Sequence, residues 1–405
     1  MSSKKVSLAN YYRNSADTIK VVRFAVLFAF VIFAVYSIGF FSKNLTEDSL
    51  KAVLNSVYRS FNDLTPSETE IKIQSDDTAS FTLMNDDLAV ITNTSVKRYA
   101  FSGDKMLDYE YTYSDAASVN AGEYLLVYDS AGKELVLYNA VAKLAKKQFE
   151  YEVQSAAINE LGYFAVVSSE KTYRSGVIVY APDGNGEYPE VFRWMSPDRY
   201  ILSIALNSNG TELACSAVYN RNGAFVTELI IYDIATGAKK HTTELDDTMV
   251  MKLAYKDKDD GLYALADGRF IHFDNGLNLK NTGVFNRGNA KFFKEAKDVF
   301  LVAESNNLSG SSMTVNLFDY NAKLLCTLKT DEKVLDADFS HSRLFVLHKE
   351  KMAVYDYSKG TLTLKAELPL SVQYKGIRTD STGRYILISA SGAKRGTVEN
   401  LASAE

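Results

Sequence analysis

One phrase returns seven times along this chain and limits what it can fold into: an apolar strand closing on an aromatic residue, a polar turn, and a second strand. It closes on Phe101 (AFSGDKML), Tyr138 (LYNAVAKL), Tyr180 (VYAPDGNGEY), Tyr232 (IYDIATGAK), Phe273 (HFDNGLNL), Phe318 (LFDYNAKLL) and Tyr355 (VYDYSKGTL). The steps are 37, 42, 52, 41, 45 and 37 residues, with a mean of about 42. A period of about 40–45 residues with four short strands per unit is the sequence form of a β-propeller blade, because one blade cannot cover its own apolar faces and must stack against neighbours.

The remaining strands can be placed around these anchors. In the unit from Met251 they read KLAYK, GLYALAD, RFIHFD and the run through NTGVFN. The turn between the first two strands often follows an N-x-x-G-x-x-L pattern, as in NSNGTEL at Asn207 and DSTGRYIL at Asp380. Glycine there supplies the positive φ such a turn demands. After the seventh anchor the chain still offers VQYKGIRT, RYILISA and a weak third strand near Thr397, but no fourth. The run TEIKIQ at Thr69 to Gln74 precedes the first complete unit and lacks sequence neighbours of its own. Pairing it with the C-terminal strands closes a ring and removes exposed sheet edges. The expected fold is therefore all-β, a β-propeller of eight four-stranded blades over residues 67–405, with seven blades as the alternative. A composition of 26 Tyr and 22 Phe against one Trp and five Pro suits half-buried strands.

Ahead of the repeats stand three shorter segments: a basic tail, residues 1–20; an apolar segment, residues 21–41; and an amphipathic stretch, residues 42–66. Phe24 to Phe41 carries no charge, and Val21 and Val22 extend it past Arg23. About 20 residues cross a hydrocarbon core of about 30 Å, and Arg23 can snorkel to the interface. Val21 to Phe41 is thus expected to span a lipid bilayer. Lys4, Lys5, Arg13, Lys20 and Arg23 against Asp17 give +4 on the leading side, while Lys43, Glu47, Asp48 and Lys51 follow with mixed sign. That bias leaves the N-terminus in the cytoplasm and the propeller outside. A cleaved signal peptide is the rival reading, with Ser37 and Gly39 as small residues before a cleavage point. Thr46 then caps a stalk helix whose apolar stripe, Leu50, Val53, Leu54, Val57, Tyr58, Phe61 and Leu64, ends at Pro66. With a net charge of −5 overall, the chain beyond the tail carries −9, which argues against nucleic acid as a partner.

Catalytic and cofactor motifs are missing from the sequence. His241, His272, His341 and His348 form no zinc-binding spacing, and there is no G-x-G-x-x-G, P-loop or G-x-S-x-G. S-x-x-K tetrads at Ser102, Ser130 and Ser391 fall in expected hairpin turns. Cys215 and Cys326 sit in apolar runs, where buried free thiols are expected rather than a disulfide. Asp257, Asp259 and Asp260, before Gly261, form a candidate calcium loop, but without alternating D-x-D-x-D spacing or a distal Glu; a solvated turn is the competing reading. Tyr109, Tyr111 and Tyr113 share one strand face and offer either a binding surface or packing between blades.

The YD and FD phrases before turns, with their hairpins, resemble WD40-like and quinoprotein-like propellers, although the Gly-His and Trp-Asp dipeptides of WD40 blades are absent. The whole layout is similar to that of single-pass membrane proteins with a β-propeller ectodomain from Gram-positive, clostridia-type bacteria. That resemblance implies a location in the cell envelope and no particular activity. The expected role is a non-enzymatic module that binds an envelope protein or a cell-wall polymer, with no cofactor. The alternatives are a propeller enzyme with a central-channel site, or a ligand sensor.

Overall fold

The computed structural model describes residues 23, 24, 26–33, 70–72, 79–100, 103, 105–140, 142–255, 261–296 and 299–398. The strands group into eight four-stranded antiparallel sheets. Blades 1 to 7 are continuous in sequence: residues 80–110, 116–148, 153–196, 200–246, 250–284, 290–330 and 336–369. Within each, strands a to d follow chain order from the axis outward. Blade 8 takes strands a to c from Tyr374–Thr379, Tyr385–Ser389 and Gly392–Gly396, and its outer strand d from Glu70–Lys72. Glu70 pairs with Lys394, Ile71 with Ala393 and Lys72 with Gly392. The ring closes where the unpaired TEIKIQ run predicts.

The periodic aromatic has a structural cause. In each of blades 1 to 7 the register between strands c and d slips at one place, immediately before an aromatic: Tyr99, Tyr138, Tyr180, Tyr232, Phe273, Phe318 and Tyr355. A bulge at that point bends the strand and re-aims the side chain into the gap between blades. The first anchor is therefore Tyr99, not Phe101, which lies outside the described residues. The aspartate that often follows folds the c–d turn. Asp233 Oδ1 accepts from Thr236 N at 2.8 Å, and Asp319 Oδ1 accepts from Asn321 N at 2.8 Å and Lys323 N at 2.9 Å. The a–b turns repeat the same device. Asn207 Oδ1 accepts from Thr211 and Glu212, Asp380 Oδ1 accepts from Thr382 and Arg384, and Gly210 and Gly383 take φ of +70° and +79°.

The core is divided accordingly, with one apolar cluster between each pair of neighbouring blades. The seam between blades 5 and 6 is the most aromatic, with Tyr263, Phe270, Phe285, Phe300 and Phe318 buried and the Phe270 and Phe300 rings 4.1 Å apart. At the closing seam Ile71 is buried with Leu88 and Val90 of blade 1 and Ile386 and Ile388 of blade 8. The two ends of the ring differ in what they carry. The lower end holds the a–b and c–d turns, and the upper end holds the b–c turns and the links between blades. The closing strand runs toward Gly392, at the b–c turn of blade 8, so it starts at the lower end.

Residues 23, 24 and 26–33 are helical, and Phe24, Leu27, Phe28, Phe30 and Phe33 are exposed. No helix among the described residues is long and apolar enough to cross a membrane. The rest of Val21 to Phe41 and the stalk stretch 42–66 lie outside the described residues.

Candidate functional site

The a strands ring a cavity of about 1200 Å³ that opens at the lower end. Its most polar wall is built by blades 6, 7 and 8. Lys294 Nζ donates to the Ile377 carbonyl at 2.7 Å and stands 3.5 Å from the carboxylates of both Asp336 and Asp338. Arg378 Nη1 donates to Asp336 Oδ2 at 2.9 Å, and its Nε reaches the Phe81 carbonyl of blade 1 at 3.4 Å. Asp336 Oδ2 also accepts from Ile377 N, and Asp338 Oδ2 from Thr379 N, both at 2.9 Å. Burial pushes the Lys294 ammonium below its ordinary pKa, against the pull of Asp338, while Arg378 adds to the lowering. Every group in this network has a partner, so it works as a polar strap across four blades. Ser340 Oγ lies 3.1 Å from His341 Nδ1 but donates to the Asp380 carbonyl, so it is engaged in the fold.

The sequence candidates fall elsewhere. Asp257, Asp259 and Asp260 lie outside the described residues, and no group of three or more His, Cys, Asp or Glu among the described residues is placed to hold a metal ion. Tyr109, Tyr111 and Tyr113 pack in the apolar seam between blades 1 and 2. Tyr109 lies 5.3 Å from Tyr138, Tyr111 stacks on Tyr113 at 4.3 Å, and Tyr113 donates to Glu134 at 3.1 Å. Of the two readings of that ladder, the geometry matches packing between blades. Cys215 and Cys326 are buried free thiols, and burial raises both, Cys326 to about 11.

His348 is buried, with Nδ1 3.1 Å from the Lys333 carbonyl. Burial holds its pKa below the usual value, more than the Lys333 carbonyl raises it. The unfolded chain therefore takes up a proton near pH 6.5 that the folded chain resists. Stability is fully present above that pH and is lost as pH falls toward the depressed folded value. The melting temperature is expected to drop between pH 7 and pH 5, and His348→Gln should flatten that slope. A slope unchanged by the substitution would remove His348 as its cause.

A second surface lies at the upper end over blades 3 to 5. The b–c hairpin of blade 4, Glu212–Arg221 with Ala224–Asp233, has ten-residue strands, the longest in the ring. It turns at Asn222 and Gly223, both at positive φ, which an Asn-Gly pair adopts readily. Phe225 beside the turn is 57% exposed. On the same end of blades 3 to 5, Tyr173, Tyr200, Met249, Met251 and Val284 (73%) are also exposed. Contacts tie the patch together. Arg174 lies over the Tyr200 ring, 5.2 Å from its centroid, and Arg199 over Tyr219 at 4.9 Å. Arg221 bridges Glu244 and Asp246, both at 2.6 Å. Burial alone would raise Glu228, but hydrogen bonds and charge from Lys239 and Arg199 hold it below the ordinary carboxylate range. Sequence reasoning missed this surface, because its residues come from three units and only the stacking of neighbouring blades brings them together. The signal was the 52-residue step from Tyr180 to Tyr232, which includes the long hairpin.

A closed ring of eight four-stranded antiparallel blades defines a β-propeller. The C-terminal WD40 domain of Sif2 superposes with a TM-score of 0.56 at 14% identity, covering 82% of this chain and 98% of that one. Sqt1 of Saccharomyces cerevisiae gives 0.54 at 11%, covering 82% and 100%. Sqt1 of Chaetomium thermophilum, bound to the N-terminus of the ribosomal protein L10, gives 0.51 at 13%, covering 81% and 99%. At such identities the likeness speaks to fold alone. The chain itself belongs to a family of unknown function, DUF5711, whose model matches residues 58–395. No curated protein matches it.

Proposed function

We propose that this protein is a membrane-tethered, non-enzymatic propeller that presents a protein-binding face on the outer side of the cell membrane. The observation that carries the reading is the upper-end patch. Exposed Tyr, Phe, Met and Arg side chains gathered on one surface are the composition of interface hot spots rather than of ordinary solvent-facing turns. The closing strand starts at the lower end, so a tether attached there leaves the patch pointing away from the bilayer. That a propeller of this fold has been crystallised with a protein segment supports the protein-binding role. The satisfied channel network speaks against an enzyme. The apolar side chains of Phe24, Leu27, Phe28, Phe30 and Phe33 are exposed, which supports lipid as their solvent.

Protease added to intact cells is expected to remove everything after Phe41 and to spare a tag placed before Lys4, with the mature N-terminus near Met1 by mass spectrometry. A protected propeller would overturn the orientation, and an N-terminus near Phe40 would turn the anchor into a signal peptide. A photo-crosslinking residue at position 225 should capture an envelope protein in intact membranes, and one at Leu279, exposed on the lower end, should not. Capture at Leu279 alone would remove the patch as the binding face.

A further inference from the structure

We propose that the upper face over blades 3 to 5 receives an acidic protein segment, with Arg174 as its carboxylate receptor and Tyr173, Phe225 and Val284 as apolar anchors. This rests on the protein-binding reading above and adds the partner's chemistry.

The fold answers most of the charges on this face and leaves a few unanswered. Arg193, Arg199, Arg221 and Arg287, on the same blades or the link beyond them, each meet a carboxylate of this chain. Arg174 does not. Its guanidinium lies over the Tyr200 ring and donates to the Tyr200 hydroxyl, and no carboxylate among the described residues comes within ion-pair distance. An arginine fixed through one edge and one face keeps its remaining N–H donors, and the planar fork is matched to a carboxylate. Its rotamer entropy is already spent, so binding costs less than it would for a free side chain.

Two more exposed cations on this end of blades 3 to 5 meet no carboxylate among the described residues. Lys171 precedes Tyr173 in the b–c turn of blade 3. Arg269 of blade 5 sits in register with Val284. The carboxylates Asp198, Glu244 and Asp246 are all answered by arginines of this chain, while Asp247 and Glu152 meet no cation among the described residues. On a chain of net charge −5, free cations set directly beside exposed aromatic and aliphatic side chains are a local reversal. The complement is a segment that alternates carboxylates with apolar side chains.

The test uses the full chain in detergent micelles and a fluorescein-labelled 12-residue peptide alternating Glu and Leu, read by anisotropy. Versions with Gln or Lys in place of Glu serve as comparisons. The Glu peptide is expected to bind about tenfold more tightly than the Gln peptide, and the Lys peptide not to bind; Arg174→Gln should remove most of the Glu-over-Gln preference. Phe225→Ala should weaken the Glu and Gln peptides alike. Equal binding of the Gln or Lys peptide, no binding of any, or an Arg174→Gln chain that keeps the preference would each overturn the inference. So would self-association in sedimentation that Arg174→Gln abolishes, since the occupant would then be a second copy. A protein crosslinked from position 225 without acidic preference would sink this inference and leave the proposed function standing.

Discussion

A chain that begins at Pro66 is expected to fold as a soluble propeller, and one that begins at Asp76 to melt on the order of 6 °C lower or to aggregate. The difference between them is the closing strand, Glu70–Lys72. Its removal takes buried Ile71 out of the seam between blades 8 and 1 and strips the ladder partners from Gly392, Ala393 and Lys394. Burying an Ile is worth about 1.5–3 kcal/mol, and each lost backbone bond about 1 kcal/mol. A loss near 4 kcal/mol moves the midpoint of a domain this size by roughly 6 °C. It also bares the edge of strand Gly392–Gly396, which invites pairing with a second molecule. Calorimetry of the two chains decides the matter, and equal midpoints would show that the ring does not depend on its closing strand.

That strand was legible in the sequence because it had nowhere else to pair. The period was legible for a related reason: a bulge before the last strand recurs in seven blades and needs a large aromatic to fill the gap it opens. Both signals are local. The blade count followed from them, and so did the placement of Asn207 and Asp380 as turn formers. Phe101 was misplaced by two residues because AFSG continues the apolar run past the bulge at Tyr99, and period alone cannot locate a bulge. The surface around Phe225 was not legible. Arg174 and Tyr200 are 26 residues apart in different units, and no single-unit pattern shows that they meet. The Lys294, Asp336 and Arg378 strap was hidden for the same reason, since three blades supply its members.

The ring's seam holds a further feature that only the assembled structure displays, and it yields the second large prediction. Arg98, in strand c of blade 1, is buried, donates to Asp87 at 2.6 Å and reaches the Ala140 carbonyl of blade 2. Arg395, in strand c of blade 8, is buried as deeply and reaches the Ala100 and Tyr99 carbonyls of blade 1. Most other blades place an aliphatic residue before the bulge, such as Leu137, Val179, Ile231, Leu317 and Val354. Blades 8, 1 and 2, where the chain must join its own ends, are thus held by directed hydrogen bonds as well as by apolar contact. Arg98→Met keeps most of the volume but leaves the Asp87 carboxylate buried without its cation, which costs about 3–5 kcal/mol. Adding Asp87→Leu removes the stranded charge, so the double variant is expected to be more stable than Arg98→Met alone. Arg395→Met strands carbonyls rather than a carboxylate and should cost less, about 1–3 kcal/mol. Urea unfolding of the chain from Pro66 measures all three. A double variant less stable than Arg98→Met would show that Asp87 contributes to the fold through partners other than Arg98.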